Sequence, residues 1–138
     1  MSDVAVRRLG YAGLFPFVAC AALAHVSDPL GASALRALAG YGAVIVSFLG
    51  GVHWGFGFQR RGAAWVLFGW GVVPSLLAWV ALLLPLGPGL WMLAATLVLA
   101  YQVDRQVYPR FGAGSWLGLR LHLTSVAAVC CAAGALAA

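Results

Sequence analysis

Five apolar runs, at residues 9–26, 35–58, 63–84, 89–108 and 115–137, occupy most of this 138-residue chain. Each is close to the roughly 20 residues that an α-helix needs to cross the hydrocarbon core of a bilayer. Inside lipid every backbone group must find its partner within the protein, which leaves helices and closed barrels as the only spanning structures. Runs of this length are too long for strands, so the expected fold is all-α: a bundle of five transmembrane helices forming a single domain over residues 1–138. The linkers are short, which makes consecutive helices antiparallel neighbours in an up-and-down arrangement.

Composition excludes the main alternative. Only 8% of the residues are charged and 64% are hydrophobic, where a soluble domain carries about 25% charge. There are too few charges to cover a water-facing surface, and the five runs leave no room for a soluble catalytic domain. The net charge of +5 does not indicate nucleic acid. The arginines are scattered at the ends of the runs and not gathered on one face, so they read as topology signals and headgroup contacts. Cys20, Cys130 and Cys131 lie within apolar runs and lack metal or redox spacing, so they are expected to be small core residues.

The run boundaries follow turn chemistry. Ser27-Asp28-Pro29-Leu30-Gly31 reads as a turn, and Pro85-Leu86-Gly87-Pro88-Gly89 as a helix break. Pro109 stops the fourth run, and Ser115 is placed to cap the fifth. The first run has features of a secretory signal: Arg7-Arg8 before it, Ala22-Leu23-Ala24 near its end, and a poor lipobox at Phe17-Val18-Ala19-Cys20. It is long enough to span and carries Pro16 in its middle, so a retained helix is expected. With the N-terminus inside, Arg7, Arg8, Arg60, Arg61, Arg105 and Arg110 all fall on the inner side and Arg36 alone faces outward. The positive-inside rule therefore places the N-terminus inside and the C-terminus outside.

Ionisable side chains within the spans are the natural site candidates, because each costs about 2.5–3.5 kcal/mol to insert. At about 1.5 Å of rise per residue, Asp104 lies about 6 Å from the inner end of its helix and Arg120 about 7–8 Å into the next. An ion pair would offset both insertion costs; alternatively Arg120 snorkels and Asp104 pairs locally with Arg105 or water. Trp116, Arg120, Thr124, Ala127, Cys131 and Gly134 share one stripe, which should face inward. Ser47, Gly50, Gly51 and Trp54 share a face on which another backbone could approach closely, with Gly55 and the kinking Pro74 as further packing positions. His53 flanks that face, and His53 with Trp54 either bonds to a neighbouring helix or marks the inner rim of a cavity. His53 and His122 have comparable depths, which makes a haem between them conceivable, although His122 points away from Arg120. His25 and Asp28 lie opposite Arg36 as an expected surface cluster. The candidate functional cluster is therefore His53, Trp54, Asp104, Arg120 and Thr124, with no catalytic set, metal site or cofactor expected.

The order of motifs resembles a domain-of-unknown-function family that includes transmembrane protein 69 of mitochondria and small bacterial inner-membrane homologues. The resemblance rests on Leu9-Gly10-Tyr11-Ala12-Gly13-Leu14-Phe15-Pro16-Phe17, Ser47-Phe48-Leu49-Gly50-Gly51-Val52-His53-Trp54-Gly55 and Pro74-Ser75-Leu76-Leu77-Ala78-Trp79. Asp104-Arg105, Trp116, Leu119-Arg120 and Leu123-Thr124 complete it. Leu117 stands where the family often has an aromatic residue. The resemblance implies a multi-pass protein of the bacterial inner membrane whose first helix belongs to the mature chain, and it supplies no activity. Two functions are expected in order: a non-enzymatic accessory or assembly factor of a membrane complex, then a binder of a quinone, lipid or haem at the inner leaflet. A channel or transporter ranks behind both, because no internal repeat is evident. The expected partners are the lipid bilayer and a membrane protein or a second copy of the chain, with no nucleic acid.

Overall fold

Each apolar run becomes helical, but the proline-containing boundaries differ from those the sequence suggests. The computed structural model describes residues 3–26 and 28–138. It contains α1 (Asp3–Ala12), α2 (Phe15–Val26), α3 (Asp28–Phe58), α4 (Trp65–Leu83), α5 (Leu86–Val107) and α6 (Leu117–Ala137), with short 3₁₀ turns at Tyr108–Phe111 and Gly114–Trp116. There is no strand among the described residues. Five helical segments are long and apolar enough to cross a membrane, counting α1 and α2 together as one of 24 residues.

The first run is two helices with a break at Gly13 and Leu14. Pro16 explains it. Lacking an N–H, proline fits the first turn of a helix at no cost in hydrogen bonds, so the chain restarts there as α2. The Gly13 carbonyl accepts from the Tyr41 hydroxyl of α3 at 2.7 Å. The same physics moves two other boundaries. Asp28, Pro29, Leu30 and Gly31 form the first turn of α3 instead of a loop, with Asp28 at the positive end of the helix dipole; Ser27 of that expected turn lies outside the described residues. Leu86, Gly87 and Pro88 likewise open α5. Both expectations took proline as a terminator, whereas in a first turn it is an initiator. Ser115 does not cap α6; it sits within the 3₁₀ turn, and α6 begins after Trp116 without a side-chain cap.

Consecutive helices pack against one another and α2 returns to α6, closing a ring in the order α2, α3, α4, α5, α6, with α3 crossing the centre to α5. Leu38 and Val46 of α3, Leu90, Leu93 and Leu97 of α5, and Cys131 of α6 fill the interior. All three cysteines are free, with Cys130 and Cys131 buried. Of the expected stripe, Arg120, Thr124, Ala127, Cys131 and Gly134 are buried on α6, whereas Trp116 lies in the 3₁₀ turn before it and is half-buried.

The α3–α4 crossing corrects the small-residue face. Gly50 does make the close approach: a Cβ there would lie 2.4 Å from the Gly71 carbonyl oxygen. The Trp54 indole lies over Gly71 and donates to the Phe68 carbonyl at 2.9 Å. Pro74 is buried on the α4 side of the crossing. Gly51 and Gly55, in contrast, have no atom within 4 Å of an added Cβ, and Ser47 donates back to Ala43 of its own helix at 2.9 Å. Successive residues of a helix point about 100° apart, so Gly50 and Gly51 cannot both face α4.

Candidate functional site

Three core helices each contribute to one polar cluster. Asp104 of α5 is 1% exposed and receives from both sides. Its Oδ1 lies 2.8 Å from His53 Nε2 of α3. Its Oδ2 accepts from Arg120 Nε at 2.9 Å and Nη2 at 2.7 Å, a two-pronged contact from α6. Arg120 Nη1 then donates to Thr124 Oγ1 one turn further along, at 2.9 Å. Of the two alternatives for Asp104 and Arg120, the structure takes the ion pair. Guanidinium and carboxylate compensate each other's charge, and both Arg120 donors converge on Oδ2, which leaves Oδ1 to His53.

The hydrogen bond to Asp104 also fixes the histidine. An ionised carboxylate only accepts, so His53 Nε2 must carry its hydrogen, and in a neutral ring Nδ1 is left with a lone pair. A neutral imidazole leaves the cluster's formal charge balanced between Asp104 and Arg120. Nδ1 is buried and has no hydrogen-bond partner among the described residues, an uncommon state for a buried polar atom.

His53 lines a cavity of about 600 Å³ between the ends of α3, α4 and α5, with Trp70 and Val103 on its walls and Arg60, Arg61 and Arg110 around it. Aromatic rings brace the histidine: Trp70, Phe56 and Tyr108 have centroids 6.2–6.5 Å from the imidazole. Phe56 stacks on Phe111 at 4.9 Å. Arg60 donates to the Arg110 carbonyl and lies 4.3 Å from the Phe111 ring centroid, tying the end of α3 to the 3₁₀ turn after α5. Arg120 and Thr124 border a second, more apolar cavity of about 370 Å³ on the opposite side, beside α1 and α2.

The sequence candidates divide accordingly. His53, Asp104, Arg120 and Thr124 come together; Trp54 does not, because its indole is engaged at the α3–α4 crossing. His122 is exposed, with Nδ1 3.0 Å from the Tyr11 hydroxyl. It lines neither cavity, so the structure offers no His53/His122 axial pair. His25 Nε2 donates to the Ala133 carbonyl at 2.8 Å, and Asp28 and Arg36 form no ion pair among the described residues. Sequence reasoning passed over Phe56 and Tyr108 as ring neighbours of His53 and Phe111 as part of the cavity wall. The available signal was an aromatic residue three positions beyond His53, on the neighbouring face of the same helix.

These features define a class: a small multi-pass helical membrane protein with a buried His–Asp–Arg cluster beside an arginine-rimmed cavity. The family model described as "Protein of unknown function (DUF3429)" matches residues 3–136, and the chain belongs to that family. The chain is similar to Transmembrane protein 69 of Xenopus tropicalis, with 45% identity over 78 residues covering 54% of this chain. The matched region spans 31% of that relative's length. No solved structure matches the chain.

Proposed function

We propose that this chain is a non-catalytic protein of the bacterial inner membrane that binds a small membrane-soluble molecule, a quinone or a lipid, beside His53. The observation that carries this reading is a cavity of about 600 Å³ lined by His53, with Leu67, Trp70, Val103 and Val107 on its walls and Arg60, Arg61 and Arg110 around it. That volume lies within the roughly 300–1,000 Å³ range of small-molecule sites, and a few fixed polar groups in an apolar wall are what orient such ligands. Purification from native membranes in mild detergent, followed by mass spectrometry of extracted small molecules, tests it. A bound quinone or lipid near equimolar amount is expected, falling at least several-fold in His53→Ala. Wild-type protein that carries no such molecule, and is not stabilised when one is added, refutes the reading.

A role as an accessory or assembly factor is the second reading, favoured by the outward face of α3. Gly51 and Gly55 form a small-xxx-small pair open on that side, the kind of surface on which another membrane helix can pack closely. Mild cross-linking before the same purification reads this out: a captured membrane-protein partner or second copy supports it, and a clean monomer counts against it.

The cavity belongs to the inner leaflet if the N-terminus is inside, as the arginine distribution proposes. Reporters fused after Leu86 and after Ala138 are then expected to show extracytoplasmic activity. Cytoplasmic activity at either position reverses the orientation and moves the cavity to the outer leaflet.

A further inference from the structure

Helices α4 and α5 meet closely at one end and part at the other. Beside their connection, a Cβ on Gly89 of α5 would lie 2.4 Å from the Ala81 carbonyl oxygen of α4. At the opposite end the cavity of about 600 Å³ separates them, with Leu67 and Trp70 of α4 on one wall and Val103 and Val107 of α5 on the other. Val66 lines the same cleft and is 58% exposed, so the α4 wall continues onto the outer surface of the bundle. The rim has charge of one sign. Arg60, Arg61 and Arg110 border it, and none of the described residues lining it is acidic. Arg60 is held by the Arg110 carbonyl and the Phe111 ring. Arg61 and Arg110 are exposed and enter no ion pair among the described residues, so both guanidiniums are available to an anion. The first turn of α4 opens beside them without a side-chain cap, which adds to the positive character of the rim.

A cationic rim above an apolar cleft between two membrane helices is the arrangement that takes an anionic lipid headgroup. Guanidiniums match phosphate geometry well, whereas a quinone brings no charge to them. The apolar wall is short. Val103 and Val107 are one turn apart, about 6 Å along α5, which is room for the part of an acyl chain next to its glycerol. The rest of the chain leaves between the parted helices into the bilayer, as a membrane lipid's does and a soluble anion has no means to do. We infer that the occupant is an anionic phospholipid whose phosphate is held by Arg61 and Arg110 and whose upper acyl chain lies between α4 and α5. This rests on the reading of the cavity as a ligand site and adds the chemical class.

Native mass spectrometry of the full chain in neutral maltoside, with phosphatidylglycerol and phosphatidylcholine of the same acyl chains in competition, tests it. One phosphatidylglycerol is expected to be retained about tenfold or more in preference to phosphatidylcholine, the worth of a charge-assisted contact. Arg61→Gln with Arg110→Gln, both at exposed positions, should abolish that preference. The control is Arg7→Gln with Arg8→Gln: these arginines do not line the cavity, and Arg7 lies 5.6 Å from the Trp116 ring centroid on α1's own side. It should keep the preference, because the attraction belongs to the cleft and not to the overall charge. Val66→Trp, also at an exposed position, narrows the cleft and should lower retention of phosphatidylglycerol several-fold with the arginines intact. Equal retention of the two lipids overturns the inference, as does equal loss in the two arginine variants. Full retention in Val66→Trp, or displacement of the lipid by an equal concentration of glycerol phosphate, also overturns it, because the rim alone then holds a soluble anion. A quinone retained near equimolar amount, with no preference for phosphatidylglycerol, overturns the chemical class and leaves the ligand-site reading standing. Failure of every lipid and quinone to bind removes both.

Discussion

Asp104→Ala is expected to lower the stability of the folded bundle by about 3–5 kcal/mol, the cost of leaving a buried charge without its partner. Arg120 would lose two hydrogen bonds and His53 one. Arg120 cannot shed its charge, and at 8% exposure it has little access to water. Arg120→Ala should cost a similar amount, because Asp104 then keeps only the imidazole. The double variant Asp104→Ala/Arg120→Ala is expected to lose clearly less than the sum of the two, with a coupling energy of about 0.5–3 kcal/mol. Thermal or denaturant unfolding in neutral detergent measures all three. Strictly additive losses would mean that the two side chains act separately despite their 2.7 Å contact. His53→Ala should be the mildest change, because both Arg120 hydrogen bonds to Asp104 survive it.

How far this cluster could be read in advance depends on which coordinate of a helix is asked for. Depth is legible: the rise per residue is fixed, and the short connection from α5 to α6 forces Asp104 and Arg120 to similar levels. Rotation about the axis is legible only where several residues vote together. On α6 they do, since Arg120, Thr124, Ala127, Cys131 and Gly134 define one inward stripe. On α3 they do not: small residues occur all round the helix, so the sequence could not say that Gly50 faces α4 while Gly51 faces outward. The α6 stripe also told against the haem: with Arg120 inward, His122 is turned outward to Tyr11 while His53 points to Asp104.

The aromatic walls were hidden by a different ambiguity. In a membrane protein Phe56, Trp70 and Tyr108 are equally at home against lipid, at the interface or in the interior, and hydropathy does not distinguish these places. Only the assembled bundle, with Tyr108 6% exposed and Trp65 of the same protein 80% exposed, separates the two uses. Helix boundaries at Pro16, Pro29 and Pro88 show a third limit. All three lie in the first turn of a helix, whereas Pro74 lies inside the continuous α4, so the residue alone does not say whether a helix ends, begins or runs on through it.

The adjacent glycines of α3 give the second large effect, and with it a direct measure of how tightly α3 and α4 must approach. Gly50→Ala would put a methyl 2.4 Å from the Gly71 carbonyl oxygen and 3.3 Å from Pro74 Cγ. The first contact is with backbone, so no side-chain rotation relieves it and the two helices must separate. Overpacking of this kind costs about 1–3 kcal/mol. Gly51→Ala meets nothing within 4 Å, so the gain of up to about 1 kcal/mol in helix propensity stands unopposed. Two identical substitutions at neighbouring positions should therefore move unfolding in detergent in opposite directions. The consequence reaches the site, because Gly50 lies one turn from His53 and the crossing also positions Trp70 against the imidazole. Gly50→Ala is expected to weaken ligand retention by purified protein as well as stability, while Gly51→Ala leaves retention unchanged. If both variants retain ligand and stability alike, the α3–α4 contact is not what holds the cavity wall, and the support must be assigned to the α3–α5 bond between His53 and Asp104.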